Sequence, residues 1–543
     1  MRLQLSIAGL ALVSWLAAST RTSETVIRFE LSSLPATLEN HPTPQRHLIE
    51  TMAGGVAAFD YDGDGLIDIF LTNGAPLPSL TKQRGRDDNR LLHNEGNLTF
   101  KDVTAQSGLS GEGYSIGAAA ADFDNDGKID LFVAGVNGCQ LYHNDGGGHF
   151  TDVTTRAGLR TSDWAVHAVW LDYNHDGLLD LFVVNYLQWT PKTSPICHAP
   201  NSTVTVYCDP RGVPGLPNRL YRNRGDGTFE DVSTSSGIAR FTGKGMSAAS
   251  ADYDGDGYPD IYVTNDTLPN FLFHNLGNGK FEEVALDAGV SLPSDGRPVS
   301  SMGVDFRDYN NDSRPDIVFT ALTGQTFPLF QNLGRGSFRD DTYASRLGPL
   351  SIRRSGWGVS LADFDNDGWK DLFVAGAHVT DNIDTLSGDH YLLPNAIFRN
   401  LGNGTFADSS ASAGAAFQKP AAHRGIAVAD FDNDGRLDVV VTVLGGPPEL
   451  WHNVTTPTAS WVAFQLSGRH SNRDGIGAEI RLGSQTNIQN SSHGYASSTL
   501  APVHFGLAQA NSAGRVEIRW PSGRTQSLTN VPANRIVQLV EPE

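Results

Sequence analysis

The chain has 543 residues, 39% of them hydrophobic and 18% charged, which excludes a disordered polymer and a coiled coil. Lys+Arg 40 against Asp+Glu 60 leave a net charge of -20, a balance that repels phosphate backbones and argues against a nucleic-acid partner. The 58 glycines fit a chain with many tight turns.

The N-terminus reads MRLQLSIAGLALVSWLAASTRT, with Arg2 ahead of an apolar run from about Leu5 to Ala18 and small residues after it. The run is too short to span a bilayer. It predicts a secretory signal peptide over 1–20, a short membrane anchor being the alternative. No later run reaches ~18 apolar residues, so the mature chain is expected to be secreted or periplasmic and without a membrane span.

A nine-residue motif then recurs seven times: DYDGDGLID, DFDNDGKID, DYNHDGLLD, DYDGDGYPD, DYNNDSRPD, DFDNDGWKD and DFDNDGRLD. The starts lie 50 to 80 residues apart, a period of propellers or solenoids. Small and apolar residues precede each copy, a β-rich run follows, and then comes an aromatic-Asn turn such as LYHNDGGGHF. Four short strands with Gly and Asn turns make one blade of a β-propeller. The seventh unit stops after LWHN, and TVIRFELSS near the N-terminus resembles its missing strand. Residues near Ile27 to Leu31 are therefore predicted to pair with the last blade and close the ring. After Thr455, WVAFQL, GAEIRL, RVEIRW and RIVQLV alternate or run apolar. The fold class expected is all-β: a seven-bladed propeller over 24–454, then a small β-sandwich-like domain over 455–543.

Asp fills positions 1, 5 and 9 of every copy, position 3 is Asp or Asn, and position 6 is Gly except at Ser313. Hard divalent cations need six to eight oxygens, and alternate positions of a tight loop supply them. The candidate ligands are Asp60, Asp62, Asp64 and Asp68; Asp122, Asp124, Asp126 and Asp130; Asp172, Asn174, Asp176 and Asp180; Asp252, Asp254, Asp256 and Asp260. The later loops offer Asp308, Asn310, Asp312 and Asp316; Asp363, Asp365, Asp367 and Asp371; Asp430, Asp432, Asp434 and Asp438. Calcium suits an all-protein cage better than magnesium, so up to seven structural Ca2+ ions are expected, with the loop from Asp308 weakest. These loops hold 26 of the acidic residues and four basic ones, so the chain's negative charge is theirs.

Of three cysteines, Cys197 and Cys208 share the segment PICHAPNSTVTVYCDP and are expected to form a disulfide, a metal pair with His198 being the alternative. Cys139 is left as a buried thiol.

The seven loops with their LYHN and GxF phrases resemble FG-GAP or VCBS repeats, the units of the integrin α-chain propeller. SNRDGIGAEIRL, HGYASS, HFGLA and VEIRWPSGRTQSLTNV resemble the ASPIC/UnbV domain. Together they look like the cartilage-acidic-protein-like family. The resemblance implies calcium binding, secretion and a role in adhesion or matrix interaction, and it carries over no catalytic residue.

Five residues before each loop stand Gly55, Gly117, His167, Ser247, Gly303, Gly358 and Gly425. Innermost strands would thus present His167, Trp357, His423 and Arg424 near the mouth of a central channel, as a possible ligand face; the alternative is that His167 fills the bore. Histidines in the L-x-x-N phrase read as turn contacts, and Arg473, Asp474 and Glu479 as a turn salt bridge or a ligand site. The function expected is a monomeric adhesion, scaffold or interaction module for a protein or glycan ligand. The alternative is an extracellular enzyme acting on a glycan or small metabolite, using His198, Asp209, His378, Asp381, Asp384, Asp389 and His390 on two insertions.

Overall fold

In a computed structural model, residues 26–136, 139–159, 163–456 and 459–543 are described, so the expected signal peptide lies outside the described residues. Among them the first motif unit folds as strands β2 (Val56–Phe59), β3 (Asp68–Leu71), β4 (Arg90–Asn94) and β5 (Phe100–Asp102), after an N-terminal strand β1 (Phe29–Ser33). All three neighbouring pairs from β2 to β5 are antiparallel, and the Asp loop joins β2 to β3. The pattern repeats in six more four-stranded sheets. Each first strand is apolar because it is covered on both faces: Tyr114–Ala121, Ala165–Leu171 and Gly245–Ala251 are buried throughout. Successive first strands pack side by side, and the seventh (His423–Ala429) packs beside β2.

The N-terminal strand completes the last sheet, as the sequence predicts. It runs antiparallel to Glu449–Asn453, with Leu31 opposite Trp451, which removes an open edge.

The Asn of each L-x-x-N phrase has one job. Asn94 Nδ2 donates to Ile67 O at 3.0 Å in its own loop and to Phe431 O at 2.9 Å in the seventh. Asn144, Asn223, Asn275, Asn332, Asn400 and Asn453 reach back in turn to Tyr61, Phe123, Tyr173, Tyr253, Tyr309 and Phe364. Seven such links run head to tail in a cycle.

Beyond Ser460, two further sheets face one apolar cluster. Ser460–Ser467 pairs with Val503–Ala508 and with Ile536–Val540; Glu479–Leu482 sits between Gln485–Ile488 and Ser512–Arg519, and Thr525–Pro532 completes that sheet. Phe464, Ile480, Phe505, Ile518 and Trp520 fill the space between them.

Candidate metal centres

In each loop the first Asp holds the turn together. Asp60 accepts from Gly63 N (2.7 Å), Asp64 N (3.2 Å) and Gly65 N (2.9 Å). The ninth accepts from the second residue and from the L-x-x-N asparagine, as Asp68 does from Tyr61 N (3.1 Å) and Asn94 N (2.8 Å). Position four takes a left-handed backbone in every copy, at Gly63, Asn125, His175, Gly255, Asn311, Asn366 and Asn433. That explains its restriction to Gly, Asn and His, residues that tolerate this region. Ser313 also sits there, at φ 65°, and its hydroxyl accepts from Thr486 Oγ1 at 3.0 Å.

Carboxylates gathered this way repel one another where water is scarce. Burial first, then neighbouring charges, push the Asp68 and Asp430 carboxyls up to about 8. Asp122 and Asp260 are raised to about 7, chiefly by burial, and Asp130, Asp180, Asp316, Asp363 and Asp371 stand well above the usual carboxylate range. Oxygens of Asp60, Asp62 and Asp68 lie within 4.8 Å of one another. Asp365 Oδ1 and Asp432 Oδ1 are buried with no partner. This donor set fits a hard divalent cation.

The L-x-x-N histidines also face the Asp loops, and His143 keeps a turn contact as well, its Nδ1 lying 2.8 Å from Asp145. His93 Nδ1 lies 3.2 Å from Asp68 and 3.6 Å from Asp62, and His274 and His452 repeat this at their own loops. His143 Nε2 faces Asp124 at 3.2 Å. In the sixth unit Arg399 takes the place, on Asp365 at 2.7 Å and Asp367 at 2.9 Å.

The expected ligand face is corrected by the structure. His167, Trp357, His423 and Arg424 are all 0% exposed. The bore is filled by a hairpin finger of the C-terminal region, Ser491 to Leu500, every residue of which is buried. Ala57 to Phe59 pair in parallel with Ser498 to Leu500, and Ala118 N donates to Ala496 O at 3.1 Å. His167 Nε2 meets Ser497 O at 3.0 Å, Ser247 Oγ donates to Gly494 O, and Val304 bridges Gly494. The Trp357 and Tyr495 rings lie 4.8 Å apart, and Val428 N donates to Thr499 Oγ1 at 3.3 Å. All seven innermost strands thus touch the finger. Arg424 stacks over Trp357 at 3.9 Å and donates to Thr51 O and His423 O. His423 reaches Gly376 O and Glu449.

The row of tiny residues was a legible signal of this. A Cβ on Gly55 would stand 2.4 Å from Ala496 O, and one on Gly425 2.5 Å from Ser497 Oγ. Glycine there makes room for the finger.

Arg473 and Asp474 are contacts between the domains, whereas Glu479 is engaged within the C-terminal region. Arg473 N donates to Asn125 Oδ1 at 2.7 Å, Asp474 Oδ2 accepts from Asp122 N at 2.7 Å, and Glu479 pairs with Arg519 at 3.1 Å. The C-terminal sheets therefore cover part of the loop end, leaving a cleft of about 570 Å3 lined by Asp60, Asp62, Asp64, Lys128 and Arg473.

The long insertions meet at the other end. Arg46 pairs with Asp381 at 2.7 Å, His47 with Ser194 at 2.7 Å, and Asn382 Nδ2 donates to Thr205 O. Cys197 and Cys208 are bonded, and Cys139 is a buried thiol. Four of the seven residues considered for catalysis are engaged locally: Asp209 with Arg211, Asp384 with His390, and His378 Nδ1 with Thr380 N.

Repeat loops, Asn links and the C-terminal finger together define a repeat protein with an integral C-terminal domain. FG-GAP-like repeat matches cover 60–133, 122–183, 206–263, 252–319, 308–374 and 382–441, more than half the chain, and ASPIC and UnbV matches 468–543. The chain belongs to the FG-GAP-like repeat family and carries an ASPIC and UnbV domain. Cartilage acidic protein 1 of Mus musculus is 28% identical over 334 residues, 59% of this chain and 49% of the relative. The Homo sapiens protein of that name is 27% identical over 332 residues, 59% and 47%. The chain thus spans about half the length of the curated relatives it matches. Among solved structures, an Agrocybe aegerita lectin described as recognising non-reducing terminal N-acetylglucosamine is 18% identical, with a TM-score of 0.39 over 66% of this chain and 79% of its own. Among the described residues no helix is long and apolar enough to cross a membrane.

Proposed function

We propose that this chain is an exported, calcium-stabilised interaction module. In this reading it is a seven-bladed propeller, closed by its N-terminal strand and followed by a β-sandwich-like C-terminal domain. The observation that carries the calcium reading is the convergence of buried carboxylates at every loop, on one end of the ring. Oxygen donors dominate each cage, and a cation offsets the burial and, after it, the neighbouring negative charge that drive protons onto Asp68 and Asp430. One end would then be stiffened by ions while the joined insertions at the other offer a surface to a protein or glycan partner, the usual division between scaffold and functional loops.

Calorimetric titration of the EDTA-stripped chain with Ca2+ tests the ion: up to seven sites with Kd of ~0.1–1 mM are expected, and no heat of binding overturns the reading. Pull-down of native partners with and without Ca2+ tests the module, and N-terminal sequencing of exported protein tests cleavage near residue 20. Light scattering should report a monomer.

A further inference from the structure

Where the C-terminal region enters the ring it leaves a polar chamber. A cavity of about 80 Å3 lies between that region and the inner strands of the fifth and sixth units, with room for several waters at roughly 10–15 Å3 each. At the third residue before the loop, five units have Ala or Val, whereas the fifth has Asp305 and the sixth Ser360. Asp305 is fully buried and fully engaged: it pairs with Arg307 at 3.1 Å and accepts from Phe306 N and Leu361 N. Ser360 lines the cavity and is equally buried, yet its hydroxyl has no partner.

The facing residues are left open in the same way. His493 of the finger is 1% exposed, lines the cavity and has no partner at either ring nitrogen. The hydrogen bonds that do form beside it fix what the other open atoms can do. Arg307 donates to Asn490 Oδ1 at 3.3 Å, so Asn490 offers its unpartnered Nδ2 as a donor. Asn487 Nδ2 donates to His504 O at 2.7 Å, which leaves Oδ1 as an open acceptor. His504 Nε2 meets Gly435 O at 3.1 Å and must carry the proton there, so its open Nδ1 accepts. Burial, then the Arg307 charge, keeps the His493 imidazole neutral, with one nitrogen a donor and the other an acceptor.

This mixture decides among occupants. An anion would face the lone pairs of Asn487 and His504, and a metal ion would face the N–H groups of Asn490. A hydroxyl donates and accepts at once, so a hydroxyl-bearing neutral molecule matches them all. Leu361, Val428, Ile488 and Val503 add apolar wall for its C–H faces. The chamber shares Val428, Gln489 and His504 with the 570 Å3 cleft, which gives a solute larger than water its way in. We propose that this chamber binds the hydroxyl groups of a neutral polyol, either free or as the terminal sugar of a glycan. The site lies at the end opposite the joined insertions. It does not rest on the loops holding cations, because none of the open atoms belongs to a loop carboxylate.

The test titrates the full chain, S360A and H493L by saturation-transfer NMR with D-glucose, myo-inositol and maltotriose, and with acetate and phosphate as anions. At least one neutral probe should bind the native chain, and each substitution should weaken it about tenfold, the loss of one or two hydrogen bonds. Tighter binding of maltotriose than of glucose marks a glycan end and equal binding a free polyol; both support the site. Silence from all three neutral probes, binding confined to an anion, or affinities unchanged in both variants overturns it. Melts without probe guard against a folding defect: S360A should be no less stable than the native chain, since its hydroxyl has no protein partner to lose. A marked drop in its Tm would place that hydroxyl in the protein's own network and overturn the assignment.

Discussion

Position four of the loops shows how single residues decide this fold. A left-handed turn there admits Gly, Asn or His, and at Gly55, Gly303 and Gly425 the finger leaves no room for a Cβ. Gly303 sits at both limits of space: an added Cβ would lie 2.4 Å from Trp357 O and 2.9 Å from the Gly494 carbonyl carbon. G303A is expected to cost about 1–3 kcal/mol in a urea melt. G514A, where a Cβ meets nothing within 4 Å, should change stability by less than about 0.5 kcal/mol. Glu541 is a second test at this scale. Burial raises its carboxyl, but Ser471 N, the Ser522 hydroxyl, Arg469 N and His470 N outweigh that and hold it down to about 2. A depressed carboxyl contributes stability above its unfolded value of about 4.5 that is lost as pH falls toward 2. E541Q should therefore lose about 2 kcal/mol at neutral pH and lose the acid dependence of that contribution; equal acid sensitivity in both chains would refute the assignment.

At the scale of the element, the Asp loop couples its geometry to pH. Asp68 and Asp430 titrate at about 8 in the metal-free fold, above the ordinary carboxylate value of 3.8. These two raised carboxyls contribute stability that is fully present below about pH 4 and is lost as pH rises through 8. Melts of stripped protein between pH 5 and 8 should show Tm declining with pH, whereas Ca2+ should flatten the profile; a stripped chain with a flat profile contradicts the shifts. Most of the loop was legible in sequence, because Asp spacing fixes which oxygens can converge. The role of the L-x-x-N histidines was not, because hairpin geometry, not spacing, turns His93 onto Asp68. Likewise the finger SSHGYASSTL carries no apolar period, and its small polar residues read as loop. Its anchor is Tyr495, fully buried, with its hydroxyl donating to Met52 O at 2.8 Å. Y495A should destabilise by about 3–5 kcal/mol, measured by denaturant midpoint.

On the scale of the whole molecule, the repeats made the sheet pattern and the ring-closing strand readable, since an unfinished seventh unit needs a partner strand from elsewhere. How the C-terminal region joins the ring was not readable, because its contacts pair residues far apart in sequence, such as Tyr495 with Met52, 443 positions away. Removing Phe29–Ser33 leaves Glu449–Asn453 as an open edge. That truncation is expected to aggregate or associate on gel filtration more than the full chain does. Each ion present at tenfold excess over its Kd adds about 1.4 kcal/mol, so EDTA should lower Tm sharply if several loops are filled.

The finger also sets a clock on biogenesis. Seven inner strands, five of them with glycine five residues before their loop, leave the ribosome before the ten residues that occupy their centre exist. Until Leu500 has emerged, the ring has no axle, and every nascent intermediate carries an unfilled bore. Chains ending before that point should be recognised as unfinished by proteases even though all seven repeats are present. Native packing at the centre thus certifies that synthesis ran past Leu500.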